Sequence, residues 1–193
     1  MGDFLRPLHL DIFPDTGFVG PEQATQVTGR HLSDMRGMYQ DGKAAEAMIA
    51  AGDPLLYQVY NADIPDEPPH ILFGTTVIYP GKVGSEFFMT KGHYHAVERT
   101  AEVYYCLKGR GIILMETRAG DVAAQHIERG KAVYIPPGWA HRSVNVGTEE
   151  FVFFYACPAG AGHDYATFEE KGFRRIVVEH KGKAIVIPNP RFA

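Results

Sequence analysis

The sequence predicts an all-β sandwich or barrel. Short apolar runs recur along most of the chain, and glycine and proline (21 and 13 residues) punctuate them. Helical patterning is confined to a few brief stretches. The 193 residues suit a single domain, 1–193, able to bury a core without disulfide or metal staples.

Taken in order, "HLSDMRGMYQ" allows a short helical turn after Ser33. "DGKAAEAMIAAGD" carries the best helix, 44–51, with Asp41 as N-cap and Gly52 as stop. Strands are expected over 55–61, 70–78, 86–90, 101–107, 111–115, 123–127, 132–135, 141–145, 151–156, 175–180 and 184–187, and "YATFEEKGF" holds a further short helix ended by Gly172. The strongest break, "DIPDEPPH" (63–70), divides an N-terminal arm (1–65) from a barrel core (66–160), with 161–193 packing on the barrel.

Hydrophobic residues make up 45% and charged residues 22%, with a net charge of −4, so no global basic field favours nucleic acid. No apolar run approaches the ~18 residues of a membrane span. "MGDFLRPLHLDIF" lacks the charged start and apolar run of a secretion signal. Cys106 and Cys157 both lie in strand-like runs, and a cytoplasmic protein with reduced thiols is expected.

Chemistry concentrates in "TKGHYHAVERTAEVYYCLKGRG" (90–111). Residues two apart on an extended chain share a face, so His93 and His95 project together. On the next strand Glu102, Tyr104 and Cys106 share one face, and Val103, Tyr105 and Leu107 the other. A bare H-x-H is common by chance, but a second segment strengthens it. In 130–145, Gly130, Pro136, Gly138, His141 and Asn145 follow the spacing G-x5-P-x-G-x2-H-x3-N. A strand, a proline–glycine turn and a second strand would bring His141 inward as fourth ligand. Three imidazoles and one carboxylate suit a borderline divalent ion rather than magnesium or calcium.

The 130–145 segment resembles the second cupin motif at every defined position. Glu102 and Gly109 fit the end of the first, H-x-H-x3–4-E-x6-G, although six residues separate His95 from Glu102. That longer insert, with "RHLSDMRGMYQD" (30–41), "VYIPPGWAHRSVN" and "AGHDYATFEEKGF" (161–173), makes nearly the whole chain similar to the cupin-type, metal-dependent glucose-6-phosphate isomerases. The resemblance implies a cupin double-stranded β-helix (jelly-roll barrel) carrying an N-terminal arm of extra strands and a short helix. It also implies a homodimer and one divalent ion per subunit, Fe2+ first, with Mn2+, Ni2+ and Zn2+ in the same class. By it, His93, His95, Glu102 and His141 hold the ion, and the reaction interconverts glucose 6-phosphate and fructose 6-phosphate.

Such a substrate needs anion donors at one end and a metal at the carbonyl end. Thr90, Lys91 and Gly92 stand beside the ligands, the glycine allowing close backbone approach to a phosphate. Thr76 resembles the family's second phosphate hydroxyl, and Tyr57 a substrate-facing tyrosine. Tyr104 faces the metal by alternation. Glu102 is the candidate base for proton transfer through an enediol, and a direct hydride shift is the other route. His163 is chosen for ring opening, with Tyr165 lining the pocket. Cys157 stands where the resemblance implies an aromatic hydroxyl, so no tyrosine is assigned there. Arg99 and Arg142, flanking the ligands, read as solvated. Two further readings share the ligand set: a cupin dioxygenase with a three-His, one-Glu iron site, and a non-catalytic sugar-binding cupin.

Overall fold

The computed structural model of the chain describes residues 11–15, 18–19 and 24–192, so positions 1–10 of the expected arm lie outside the described residues. The short strands β1 (Ile12–Phe13) and β2 (Phe18–Val19) pair with each other. They are followed by β3 (Ala24–His31), a 3-10 turn at Leu32–Met35 and the helix α1 (Gly42–Gly52). Asp41 caps α1 by accepting the Ala44 N–H. The left-handed residue at the other end is Asp53 (φ 47°), one place beyond the expected glycine stop.

Strands then follow one another: β4 (Leu55–Ala62), β5 (Ile71–Ile78), β6 (Lys82–Val83), β7 (Glu86–Phe87) and β8 (Glu102–Lys108). The second half holds β9 (Arg110–Thr117), β10 (Val122–Glu128), β11 (Ala132–Ile135), β12 (Trp139–Asn145) and β13 (Phe151–Pro158). A 3-10 turn (Ala166–Phe168) leads to β14 (Arg175–His180) and β15 (Lys183–Pro188). The larger sheets run β11-β8-β13-β5-β4-β3, β10-β9-β12 and β15-β14-β7-β6, with every pairing antiparallel. One apolar core draws on residues of all three, the arrangement of a jelly-roll barrel.

Most expected strands form, and the exceptions have physical reasons. The run at 86–90 is a strand only over Glu86–Phe87; beyond it, Met89 makes an isolated bridge to Val144, and Thr90 N–H donates to Ser143 O at 2.9 Å. β3 was not anticipated, because "ATQVTGRH" is polar; it succeeds as the edge strand, with Arg30 opposite Tyr57 of β4. The 63–70 break connects β4 to β5, which are neighbours in one sheet.

β8 shows how the fold aims side chains inward. Glu102, Tyr104 and Cys106 are buried while Val103 and Tyr105 are exposed, so alternation places a carboxylate inside and a valine outside. Gly109 (φ 72°) turns the chain into β9 against the next strand, where a Cβ would meet Glu150 O at 2.3 Å. Across the core, Phe153 of β13 packs against Tyr104 at 4.6 Å between ring centroids and Phe151 at 5.0 Å. Among the described residues, no helix is long and apolar enough to cross a membrane. Replacing fully packed Phe153 by alanine (Phe153→Ala) should lower unfolding free energy by about 3–5 kcal/mol in a denaturant titration.

Candidate metal centre

Two segments distant in sequence are spliced at the site by their backbones. His93 N–H donates to His141 O at 3.2 Å, and His141 N–H returns a bond to His93 O at 3.0 Å. The turn expected before β12 forms, with Trp139 N–H donating to Pro136 O at 3.3 Å and Gly138 at φ 78°. It delivers His141 inward. Asn145 ends that strand as a structural residue: its Nδ2 donates to Ile78 O and Glu149 O, both at 2.8 Å, and its Oδ1 accepts the Gly147 N–H.

His93, His95, Glu102 and His141 each present a donor atom, all within 4.8 Å of one another. Three of them are almost fully buried: His95 and Glu102 are 6% exposed and His141 1%. Oε2 of Glu102 lies 3.2 Å from His95 Nε2 and 2.9 Å from His141 Nε2. Burial alone would raise Glu102, but the His141 and His95 imidazoles against its carboxylate outweigh it and hold the carboxyl at about 2. Burial, then the neighbouring His141, His163 and His95, lower His93 well below the ordinary imidazole range. It is therefore neutral, as a ligand must be.

The donor set passes a test of fit for a cation. Nε2 of His93 and Nε2 of His141 are buried without a hydrogen-bond partner, and the latter's approach to Glu102 is not along a hydrogen-bond direction. Buried nitrogens are seldom left so, and a cation among them would satisfy both. The second ring nitrogens of His95 and His141 are occupied outside the cluster. Thr100 Oγ1 donates to Val97 O at 2.6 Å, so it accepts from His95 Nδ1 at 2.8 Å and leaves Nε2 facing the site. His141 Nδ1 donates to Trp139 O at 3.4 Å. The six-residue insert thus supplies the group that orients a ligand, a role the sequence did not reveal.

The other candidate residues surround this cluster unevenly. His163 is an exposed residue whose ring stands 4.4 Å from that of His93 and stacks on Tyr165 at 5.5 Å. Its imidazole is lowered, first by burial against these neighbours. Tyr104 lies 5.7 Å from His141 between ring centroids, its hydroxyl raised by burial and then by Glu102. Lys91 Nζ stands 5.3 Å over the Tyr165 ring. Burial raises the Tyr57 hydroxyl, and the Lys91 backbone and Arg30 oppose that rise. Thr90 is already engaged, its hydroxyl accepting the Ser143 N–H at 3.0 Å, and Thr76 is buried on β5 opposite Phe153 and Val59.

Three findings revise the sequence reading. Gly92 (φ 75°) is required by packing, since a Cβ would lie 2.5 Å from the Phe173 ring and 3.0 Å from Arg142 Cβ. Arg142 is buried, not solvated: 1% exposed, it lies 4.6 Å from the Phe173 ring and donates to Lys91 O at 2.7 Å. Arg30 went unassigned because β3 was not foreseen; as the register partner of Tyr57 it brings a cation to the Lys91 side, and its charge is felt at Tyr165. Tyr155, opposite Tyr104 and donating to Asn61 Oδ1, gives β13 a phenol two places before Cys157. A groove of about 640 Å³ between Lys82, Arg110, His126 and Lys183 contains none of these residues.

A jelly-roll barrel that gathers three histidines and one glutamate into one inward cluster is a cupin of the metal-binding kind. Residues 29–189 match the model of the family described as Glucose-6-phosphate isomerase (GPI). The chain is similar to a glucose-6-phosphate isomerase of Thermococcus litoralis, 50% identical over 189 residues and covering 98% of each chain. One from Pyrococcus furiosus is 44% identical, also over 98% of each. Among solved structures, the Cnp3 cupin domain of Schizosaccharomyces pombe is similar at a TM-score of 0.40 and 12% identity, over 53% of this chain and 64% of that one. The chain belongs to the glucose-6-phosphate isomerase family, and it is an aldose–ketose isomerase. His141→Ala should lose bound metal and turnover together while the far-ultraviolet circular dichroism stays that of the folded barrel; elemental analysis beside an isomerase assay checks it.

Proposed function

We propose that the chain interconverts glucose 6-phosphate and fructose 6-phosphate in a pocket with a metal end and a cationic end. The observation that carries this is the buried cluster of His93, His95, Glu102 and His141 with two unpartnered imidazole nitrogens. The ion assigned to it is Fe2+, one per subunit, because imidazoles with a carboxylate and open positions suit ferrous iron; Mn2+, Ni2+ and Zn2+ share the preference for nitrogen donors. When bound, it polarises the sugar oxygens and stabilises negative charge developing on them.

The protein groups divide the remaining work. Arg30 and Lys91, with the hydroxyls of Thr76, Thr90, Tyr57 and Tyr165 and the Gly92 backbone, receive the phosphate and orient the sugar. Tyr165 feels the charges of both Arg30 and Glu102, which supports placing it between the two ends. His163, at the mouth, takes the C1 hydroxyl proton and passes it to the ring oxygen as the bond between C1 and that oxygen breaks. Glu102 then carries a proton from C2 to C1 through an enediol while the O2 hydroxyl proton passes to O1, and the Tyr104 phenol beside it offers a hydrogen bond to these oxygens as the carbonyl moves from C1 to C2.

A single cupin domain, 1–193, fits this reading, with β3 and β4 of the arm (1–65) continuous with the barrel sheet. A homodimer is supported by Val103, Tyr105 and Tyr134, exposed at 40%, 43% and 60% on the outer side of β8 and β11. A cytoplasmic setting agrees with Cys106 and Cys157, which are both free thiols.

Removing metal with a chelator, verified by elemental analysis, should abolish isomerase turnover, and restoring Fe2+ should recover it. Turnover that survives complete removal would sink the reading. Arg30→Met should raise KM for glucose 6-phosphate by roughly tenfold, the loss of about one charged hydrogen bond, with metal content unchanged. An unaltered KM would remove Arg30 from the phosphate end.

A further inference from the structure

The surface behind the metal loop carries a cluster that the reaction does not use directly. Arg118 projects from the turn between β9 and β10, which is well braced. Thr117 N–H donates to Asp121 O and Gly120 N–H to Thr117 O, both at 3.0 Å, and Thr117 Oγ1 donates to Asp121 Oδ2 at 2.9 Å. From this fixed base the guanidinium donates to Glu98 Oε1 through Nε at 3.0 Å and to Asp164 Oδ2 at 3.0 Å. It also reaches Thr167 Oγ1 at 3.4 Å and lies 4.3 Å over the Tyr94 ring.

The partners are significant by position. Tyr94 is interleaved between His93 and His95, Glu98 belongs to the insert between His95 and Glu102, and Asp164 is interleaved between His163 and Tyr165. The two segments are joined by a short ladder: Tyr94 N–H to Asp164 O at 3.2 Å, Asp164 N–H to Tyr94 O at 2.8 Å and Val97 N–H to Ala161 O at 2.9 Å. In that ladder His163 and Tyr165 turn toward the His93 ring, while Asp164 turns toward Arg118. One guanidinium therefore holds, from outside, both the loop that bears metal ligands and the segment that bears His163.

We propose that Arg118 is a positioning residue, a clasp that fixes His163 over the metal loop. Its side chain is 51% exposed, so its ion pairs add little to global stability. Their effect is geometric. A reacting group displaced by about 1 Å can cost up to about a hundredfold in rate. The proposal rests on the reading that His163 serves ring opening, and the test separates the two.

The test compares Arg118→Met, Arg118→Lys, His163→Ala and Arg118→Met with His163→Ala, all metal-loaded, by kcat, KM and metal content. Methionine keeps an apolar stem over Tyr94. Arg118→Met should lower kcat about tenfold with KM and metal content unchanged, and Arg118→Lys should recover part of the loss. Once His163 is alanine, the Met substitution should cost nothing more, because the clasp acts through that imidazole. Wild-type kcat in Arg118→Met beside an impaired His163→Ala overturns the clasp alone, as does an undiminished further loss in the double variant or a loss of metal. Wild-type kcat in His163→Ala overturns the role of His163 and the clasp with it.

Discussion

A carboxylate on the inner face of a barrel strand is the constraint on which the rest of this site depends. Glu102 is 6% exposed, and an ionised group so placed costs several kcal/mol unless charge and hydrogen bonds meet it. His95 and His141 meet it from two different segments. Once Glu102 is turned inward, alternation along β8 leaves no freedom for its neighbours. Tyr104 must enter the pocket, Cys106 must enter the core, and Val103 and Tyr105 must face outward. The exposure of apolar residues on β8 is thus the counterpart of burying a charge there.

Holding those histidines requires rigid backbone more than strong side-chain contacts. The reciprocal bonds between His93 and His141 fix two ligands at once, since each residue supplies both a donor and an acceptor. Asn145 then ties the end of the same strand to β5 through Ile78 O. Removing any of these bonds would loosen ligands that the sequence separates widely. Sites carried on regular elements gain their precision this way, because the ladder that folds the sheet also sets the ligand positions.

Legibility in the sequence follows from the same physics. The cluster of His93, His95, Glu102 and His141 was readable because its members sit on extended segments, where facing direction is fixed by counting residues. The jelly-roll class was readable because apolar runs and glycine turns repeat. β3 was not, since "ATQVTGRH" lacks the apolar alternation by which a strand is recognised; it is held by its neighbour β4, not by its own pattern. Arg30 was lost with it. The function of Thr100 depends on where a loop folds back, which spacing does not encode. Nor does the sequence show the second demand on Gly92, where the Phe173 ring and Arg142 Cβ crowd the space a side chain would occupy.

The most consequential misreading concerned Arg142, because it links the two ends of the pocket. Lys91, Gly92 and His93 are consecutive, so the proposed cationic end and the proposed metal end are joined by a single backbone segment. Arg142 adjoins His141 in the chain and donates to Lys91 O, which fixes that segment from behind. Burial lowers the pKa of this guanidinium, and the neighbouring Glu86 and Glu116 carboxyls oppose that loss. A solvated arginine would let the Lys91 main chain drift relative to His141. A buried one, stacked near Phe173 with Gly92 packed against both, makes the separation of the two ends a property of the core. Under the proposed function, a sugar phosphate that bridges them would be selected by its length between carbonyl and phosphate, through packing that no substrate atom touches.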